Sequence, residues 1–148
     1  MAHAQQQILD GYKAALVAAN TAAGMRVFLD RVDPLQPDEL PAILVEEAPD
    51  GEQVDPQTVT GGEARVLSVL VTSVVAHGSE YGARARALGL QVEEALGAAT
   101  FAVPKPGRTR IASSRMTFSG EGDRALAARE QTWRTQYFTR RGAPDNPF

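Results

Sequence analysis

The chain has 148 residues, of which 43% are hydrophobic and 22% charged, with a net charge of −3 and no cysteine. This length and composition predict a single globular domain over residues 1–148 that buries its own core. Without cysteine, disulfides, thiolate metal sites and thiol nucleophiles are excluded. The sequence shows neither a signal peptide nor an apolar run long enough to cross a bilayer, so we expect a cytosolic location at synthesis.

Charge is divided unevenly along the chain. From Asp30 to Glu63 there are ten acidic residues and one base, whereas from Lys105 to Arg141 there are nine bases and three acids. The first segment therefore carries a charge of −9 and the second a charge of +6. Opposite potentials on one chain favour contact between unlike patches of identical copies.

The first third of the chain predicts one helix and two strands. Near the N-terminus apolar residues recur at helical spacing, with Gly24 as a stop signal. Strands are predicted for MRVFLDRV and, after an acidic loop with three prolines, for AILVEEA. The apolar stripe of the helix consists of Ile8, Leu9, Tyr12, Ala15, Leu16 and Ala19.

Two neighbouring segments stand out in the middle of the chain. Residues 49–62, PDGEQVDPQTVTGG, hold almost no large apolar side chains and predict an exposed, extended hairpin arm. The stretch that follows, up to Gly78, predicts a long strand that is apolar on both faces. Each face of such a strand must therefore pack against another part of the structure.

The rest of the chain predicts a second helix and two more strands. Ser79 is the expected cap of a helix that ends near Gly97, and TRIASSRMTFSG and EQTWRTQYFTRR are strand patterns. Residues 142–148 are expected to form a flexible tail. The fold class is therefore α+β: a mostly antiparallel β-sheet with two α-helices packed on one face. The other face of the long strand is left without a cover.

We predict no catalytic, metal-binding or cofactor-binding residues. GEGDRA at residues 120–125 has the letters of a dinucleotide fingerprint, but no helix or downstream acid follows, so a hairpin loop is favoured. His3 and His77 have no neighbouring histidine or carboxylate at ligand spacing. We therefore do not expect an enzyme, and no cofactor is implied.

The last strand pattern combines aromatic residues with arginines, as single-stranded nucleic-acid binders do. Alternation, however, places Trp133 and Tyr137 on one face and Arg134 and Arg140 on the other. We favour the interpretation in which the two aromatic side chains enter the core and the arginines meet acids. An arginine-rich nucleic-acid-binding module remains an alternative.

The order of elements resembles a known family. The segments QQQILDGYKAALVAAN, LPAILVEEA, SEYGARARALGLQVEEALG and WRTQYFT, with the acidic arm and the long strand, are similar to tail terminator proteins of long-tailed bacteriophages, the minor tail protein U type of phage lambda. This resemblance covers nearly the whole chain. It implies a structural virion protein that forms a homohexameric ring on the finished tail tube, ends tube growth and presents a surface for the head.

The resemblance also implies partners and a location. The partners would be further copies of the chain, the major tail tube protein and a head completion or neck protein. The location would be the head-proximal end of the virion tail, after assembly in the host cytoplasm. DNA would pass through the ring without specific binding, and no membrane is involved.

We predict that the ring contact is electrostatic. The resemblance transfers no individual contact residue, but the arm acids and the arginines of the last strand have complementary charge. The predicted interface residues are Asp50, Glu52 and Asp55 of one copy and Arg134 and Arg140 of the next. For any single pair, solvated charges that contribute only ~0–1 kcal/mol remain an equal alternative. A head-to-tail joining protein at the neck is the other structural alternative.

Overall fold

The computed structural model of the protein describes residues 2–56, 61–102, 108–119 and 125–147. The tip of the arm, most of the GEGDRA segment and the last residue lie outside these ranges. The elements in chain order are α1 (Ala4–Ala18), β1 (Val27–Leu29), β2 (Ala42–Pro56), β3 (Gly62–Ala76), α2 (Tyr81–Ala98), β4 (Thr109–Ser119), β5 (Leu126–Arg140) and β6 (Ala143–Pro147). The predicted α+β class is confirmed.

The strands form one sheet with the order β1-β2-β3-β5-β4, and β6 pairs with the end of β5. All neighbours are antiparallel except β1, which runs parallel to β2 over Val27–Leu29. The long central strands β3 and β5 pair along their whole length, from Gly62 opposite Arg140 to Ala76 opposite Leu126. The long antiparallel pair of β3 and β5 thus forms the centre of the sheet.

Both helices pack on the same face of the sheet. The Tyr12 hydroxyl of α1 is 2.6 Å from the Thr135 hydroxyl, and the Gln131 amide donates to the Gly89 carbonyl of α2. Gln131, Trp133 and Thr135 alternate along β5 and therefore share one face. The core between this face and the helices includes Ile8, Leu16, Leu67, Val69, Val71, Leu88, Val92 and Trp133.

The opposite face of the sheet has no helix among the described residues, as the sequence predicts. Several positions of β3 on this face are small or β-branched, and Ser68, Thr72 and Val74 are 4%, 9% and 4% exposed. Leu70 and Thr132, which face each other between these positions, are half-buried. Because these side chains are short, the surrounding strands shield them from solvent without a second layer of structure. The apolar pattern of β3 therefore overestimates how much of this face must pack against another layer.

Strands β2 and β3 extend into the predicted hairpin arm. Strand β2 continues to Pro56 and β3 begins at Gly62, so residues on both sides of the tip form an antiparallel ladder. The register shifts between Glu47 and Glu52, where Gly51 has a φ of +65° that favours glycine. Gly51 therefore marks a bulge and Pro56 the end of β2 in the arm.

Three further predictions, on the C-terminal tail and on the ends of the two helices, need correction. The expected flexible tail forms β6, because the turn at Gly142 reverses the chain and the Gln7 side chain of α1 donates to the Asp145 carbonyl. Ser79 does not cap α2: the residue before the helix is Glu80, in a left-handed conformation without a side-chain capping bond. Helix α1 ends at Ala18, well before Gly24.

Candidate subunit interface

The sheet separates the two charged segments in space. The acidic strand β2 lies on one side of the central pair and the arginine-bearing strand β4 on the other. Glu46, Glu47 and Asp50 on β2 are exposed, as are Arg110 and Arg115 on β4. The charge division that the sequence shows along the chain thus becomes a division between two edges of the sheet.

Three arginines converge on the helix-free face. Arg108, Arg110 and Arg134, together with Val66 and Gln136, line a depression of ≈ 230 Å³. Arg110 and Arg134 are directly opposite each other on β4 and β5, and the Arg108 guanidinium lies 4.8 Å from the centre of the Phe138 ring. Like charges placed this close favour an anionic group between them, such as a carboxylate or a phosphate.

Asp50 reaches this face from the arm of the same chain. Its carboxylate accepts a hydrogen bond from the Ser68 hydroxyl at 3.1 Å and lies 3.9 Å from the Arg134 guanidinium. Both side chains of this ion pair are about half exposed, at 52% for Asp50 and 44% for Arg134. Such a long, exposed pair contributes little to stability, and both groups stay accessible to a partner.

Glu52 has a different environment, on the helix side of the arm base. Its carboxylate pairs with the Arg65 guanidinium at 2.8 Å and accepts a hydrogen bond from the Tyr137 hydroxyl. Arg65 also pairs with Glu63 at 2.6 Å and donates to the Thr139 hydroxyl. Burial, together with the hydrogen bond to Glu52, raises the pKa of the Tyr137 phenol above its ordinary value.

The predicted interface residues therefore divide into two groups. The Glu52 side chain is only 6% exposed and is engaged within its own chain, so it locks the arm to the sheet. Asp50, Asp55, Arg134 and Arg140 are exposed residues on the helix-free face. For these four, the contact with a neighbouring copy stays a prediction.

Arg108 and Arg110 are the residues that sequence reasoning missed. They contribute to the positive charge of the C-terminal third, but no local motif separates them from its other arginines. The signal became visible only through strand pairing, which places Arg110 opposite Arg134. Trp133 and Tyr137 are buried as predicted, at 3% and 2% exposure.

Other parts of the described surface have fewer functional groups that could bind a ligand. A depression of ≈ 380 Å³ between α2 and the start of β2 is lined mainly by aliphatic side chains, among them Leu40, Val75 and Leu88. Within the described ranges, no cluster of three or more histidine or acidic side chains has the geometry for a metal ion. The described helices include none with the length and apolarity needed to span a bilayer.

Comparisons with known proteins give matches among solved structures only. No family model matches the chain, and no curated protein matches it. Among solved structures, it is similar to a chain of the structure titled "Virion of native gene transfer agent (GTA) particle", with 21% identity, 90% of each chain covered and a TM-score of 0.46. Our proposal for the function therefore rests on the residues and geometry of this chain itself.

Proposed function

We propose that this protein is a structural virion protein of the tail terminator kind. In this role, copies of the chain form a ring, with six as the expected number, on the head-proximal end of a phage tail tube. The ring ends tube polymerisation and presents a surface to a head completion or neck protein. The role is structural rather than catalytic and uses no cofactor.

The observation that carries the proposal is the separation of charge across the sheet. A closed ring needs a heterologous contact, in which one patch of a subunit meets a different patch of the next. The acidic side at β2 and the arginine side at β4 and β5 supply two unlike patches on one molecule. Opposite potentials attract unlike patches and penalise contact between like ones.

The direct test measures tube length. Purified tube subunits polymerise in the presence or absence of the protein, and electron microscopy gives the length distribution. We expect shorter tubes, each with a ring at one end. Tubes of unrestricted length at stoichiometric protein would contradict the terminator role, and a ring that binds only a neck complex would instead favour the joining protein.

A second test addresses the arm. The variant Asp50→Lys/Asp55→Lys should lose ring formation in size-exclusion chromatography with light scattering, while its unfolding transition stays close to that of the wild type. Glu52 is left unchanged because its carboxylate is buried against Arg65 and Tyr137. The matched control, Glu93→Lys/Glu94→Lys, changes two exposed acids on α2, and we expect normal rings. Normal rings from the arm variant would reject charge matching by the arm.

A nucleic-acid-binding module is the second candidate, and the depression between Arg108, Arg110 and Arg134 favours it. Arg108 stacked on Phe138 resembles the arginine and aromatic pairs of single-strand binders. A gel shift at several salt concentrations tests this function, because phosphate contacts weaken steeply as salt rises. Absence of any shift at low salt would eliminate it.

A further inference from the structure

The sheet has two open edges of opposite charge. Among the described residues, no strand pairs with the outer side of β4. On the other side, β1 covers β2 only at Ile43–Val45, so the outer side of β2 from Glu46 to Pro56 pairs with no described strand. Each open edge presents backbone N–H and C=O groups that can bond to a further strand.

The two edges lie at the same level of the sheet. Glu47 is opposite Val69, Val69 is opposite Trp133, and Trp133 is opposite Ile111. The acids Glu46 and Glu47 on one edge are therefore level with the start of β4, which follows Arg108 and includes Arg110. A second copy placed beside the first, with its strands in the same direction, brings these groups next to each other.

Strand directions are compatible with such a contact. From β2 to β3, β5 and β4 every step is antiparallel, so β4 runs opposite to β2. When the sheet of one copy continues into the next without inversion, β4 meets the neighbour's β2 as an antiparallel pair. Antiparallel pairing is the common arrangement for strands added at an open edge.

The charges on the edges select between possible pairings. Two acidic edges or two basic edges side by side repel, which protects each edge from pairing with its own kind. An acidic edge beside a basic edge brings carboxylates close to guanidinium groups. The same charged side chains therefore prevent pairing between two like edges and permit head-to-tail pairing between unlike edges.

We propose that the β4 edge of one copy binds the outer edge of the β2 arm of a second copy and extends the sheet from subunit to subunit. This inference rests on the proposed ring and names the contact that closes it. The depression at Arg108, Arg110 and Arg134 lies beside this contact and accepts carboxylates of the neighbour's arm. On the neighbour's arm, Asp50 is an exposed acid at the level of this depression, and its carboxylate would bridge the two copies.

Charge exchange between the edges tests the proposal. The variants are Glu46→Lys/Glu47→Lys, Arg108→Glu/Arg110→Glu and the combination of all four changes. We expect each double variant to associate at least about tenfold more weakly than the wild type. The combined variant should recover assembly with itself but not mix with wild-type subunits, because its edges then have exchanged charge. Arg86→Glu on α2 and the Glu93→Lys/Glu94→Lys variant serve as controls.

Hydrogen exchange gives a readout that does not depend on any variant. Amides of β4 and of Glu46–Pro56 should exchange more slowly in the assembled wild type than in the diluted monomer, because new backbone hydrogen bonds form. Unchanged exchange at both edges on assembly would overturn the proposal, as would folded double variants that assemble normally. The proposal would also be overturned if the wild-type protein stayed monomeric in solution and also bound tube ends as a monomer.

The outcomes separate this contact from the proposed function. Rings that lack protected edges but still limit tube length would remove the edge contact and keep the terminator role. Rings with protected edges that fail to limit tube length would keep the contact and remove that role. Slower exchange at β4 only when DNA is added would assign the basic edge to nucleic acid and overturn the proposal.

Discussion

Tyr137 connects three parts of the molecule at the scale of single residues. Its ring is buried in the core, and its hydroxyl donates to Glu52, which also holds Arg65. Because these charged groups are largely shielded from water, each needs its partner, and removing one leaves the others incompletely bonded. This cluster explains why Glu52 belongs to the fold although the acids Asp50 and Asp55 on the same arm are exposed.

We predict that Tyr137→Phe lowers the free energy of unfolding by about 1–3 kcal/mol, because the shielded Glu52 carboxylate loses a donor. Urea denaturation measures the change. Tyr81→Phe is the matched control: its ring stacks on His77 at 4.8 Å, a contact that phenylalanine keeps. Equal stability of the Tyr137→Phe protein and the wild type would show that the Tyr137 hydroxyl adds nothing to the cluster.

Ionisation of the buried Tyr12 phenol should lower the stability of the protein at alkaline pH. Burial raises its pKa from 10.0 to about 12, so above pH 10 the unfolded chain ionises this phenol while the folded protein does not. The stabilisation is therefore complete below pH 10 and is lost as the pH rises toward 12. Urea unfolding between about pH 9 and pH 11 should show this fall, and Tyr12→Phe should make it shallower. A slope unchanged by the substitution would contradict the prediction.

At the scale of elements, α2 depends on one close approach to the sheet. Gly89 faces β5, and a Cβ there would lie 3.1 Å from the Gln131 amide nitrogen and 3.2 Å from Arg129 Cγ. Gln131 in turn accepts a hydrogen bond from the Trp133 indole. The helical pattern predicts α2 and its buried side, but Gly89 lies among ordinary helix residues, and only the packed structure shows why it is small.

Two glycines of α2 should respond to alanine with opposite signs. Gly89→Ala must displace the buried Gln131 side chain and the half-buried Arg129 side chain, and should destabilise the protein by about 1–3 kcal/mol. Gly97 has no neighbour within 4 Å of an added Cβ, so Gly97→Ala should stabilise by up to about 1 kcal/mol through helix propensity. Thermal unfolding of both variants is the measurement. A stabilising effect of Gly89→Ala would disprove the tight contact.

At the scale of the whole molecule, the sheet converts a linear charge pattern into a lateral one. The chain order alone leaves the relative position of the acidic and basic segments open. Strand order places two strands between β2 and β4, so the β2 acids and the β4 arginines lie toward opposite edges of the sheet. Arg108 and Arg110 join Arg134 for the same reason, whereas Glu52 lies beyond the β2 bulge and bonds to Tyr137 within its own chain.

Association between copies should therefore weaken with salt. Between about 0.05 M and about 0.5 M NaCl the screening length falls severalfold, so attraction between exposed edges decreases while the buried core is little affected. Sedimentation velocity should show a rising monomer fraction, with an unfolding midpoint that moves only slightly. Assembly that strengthens with salt would indicate an apolar contact instead and contradict an electrostatic ring.

The sequence by itself determined the α+β class, the two helices, the long strands and the burial of Trp133 and Tyr137. It did so because hydrophobic periodicity is a local property that adjacent residues express. Only the tertiary structure decided that the C-terminal residues form β6, that Glu52 pairs with Arg65, and that three arginines share one depression. These features depend on strand order and register, which bring together residues far apart in the chain, and no local pattern encodes them.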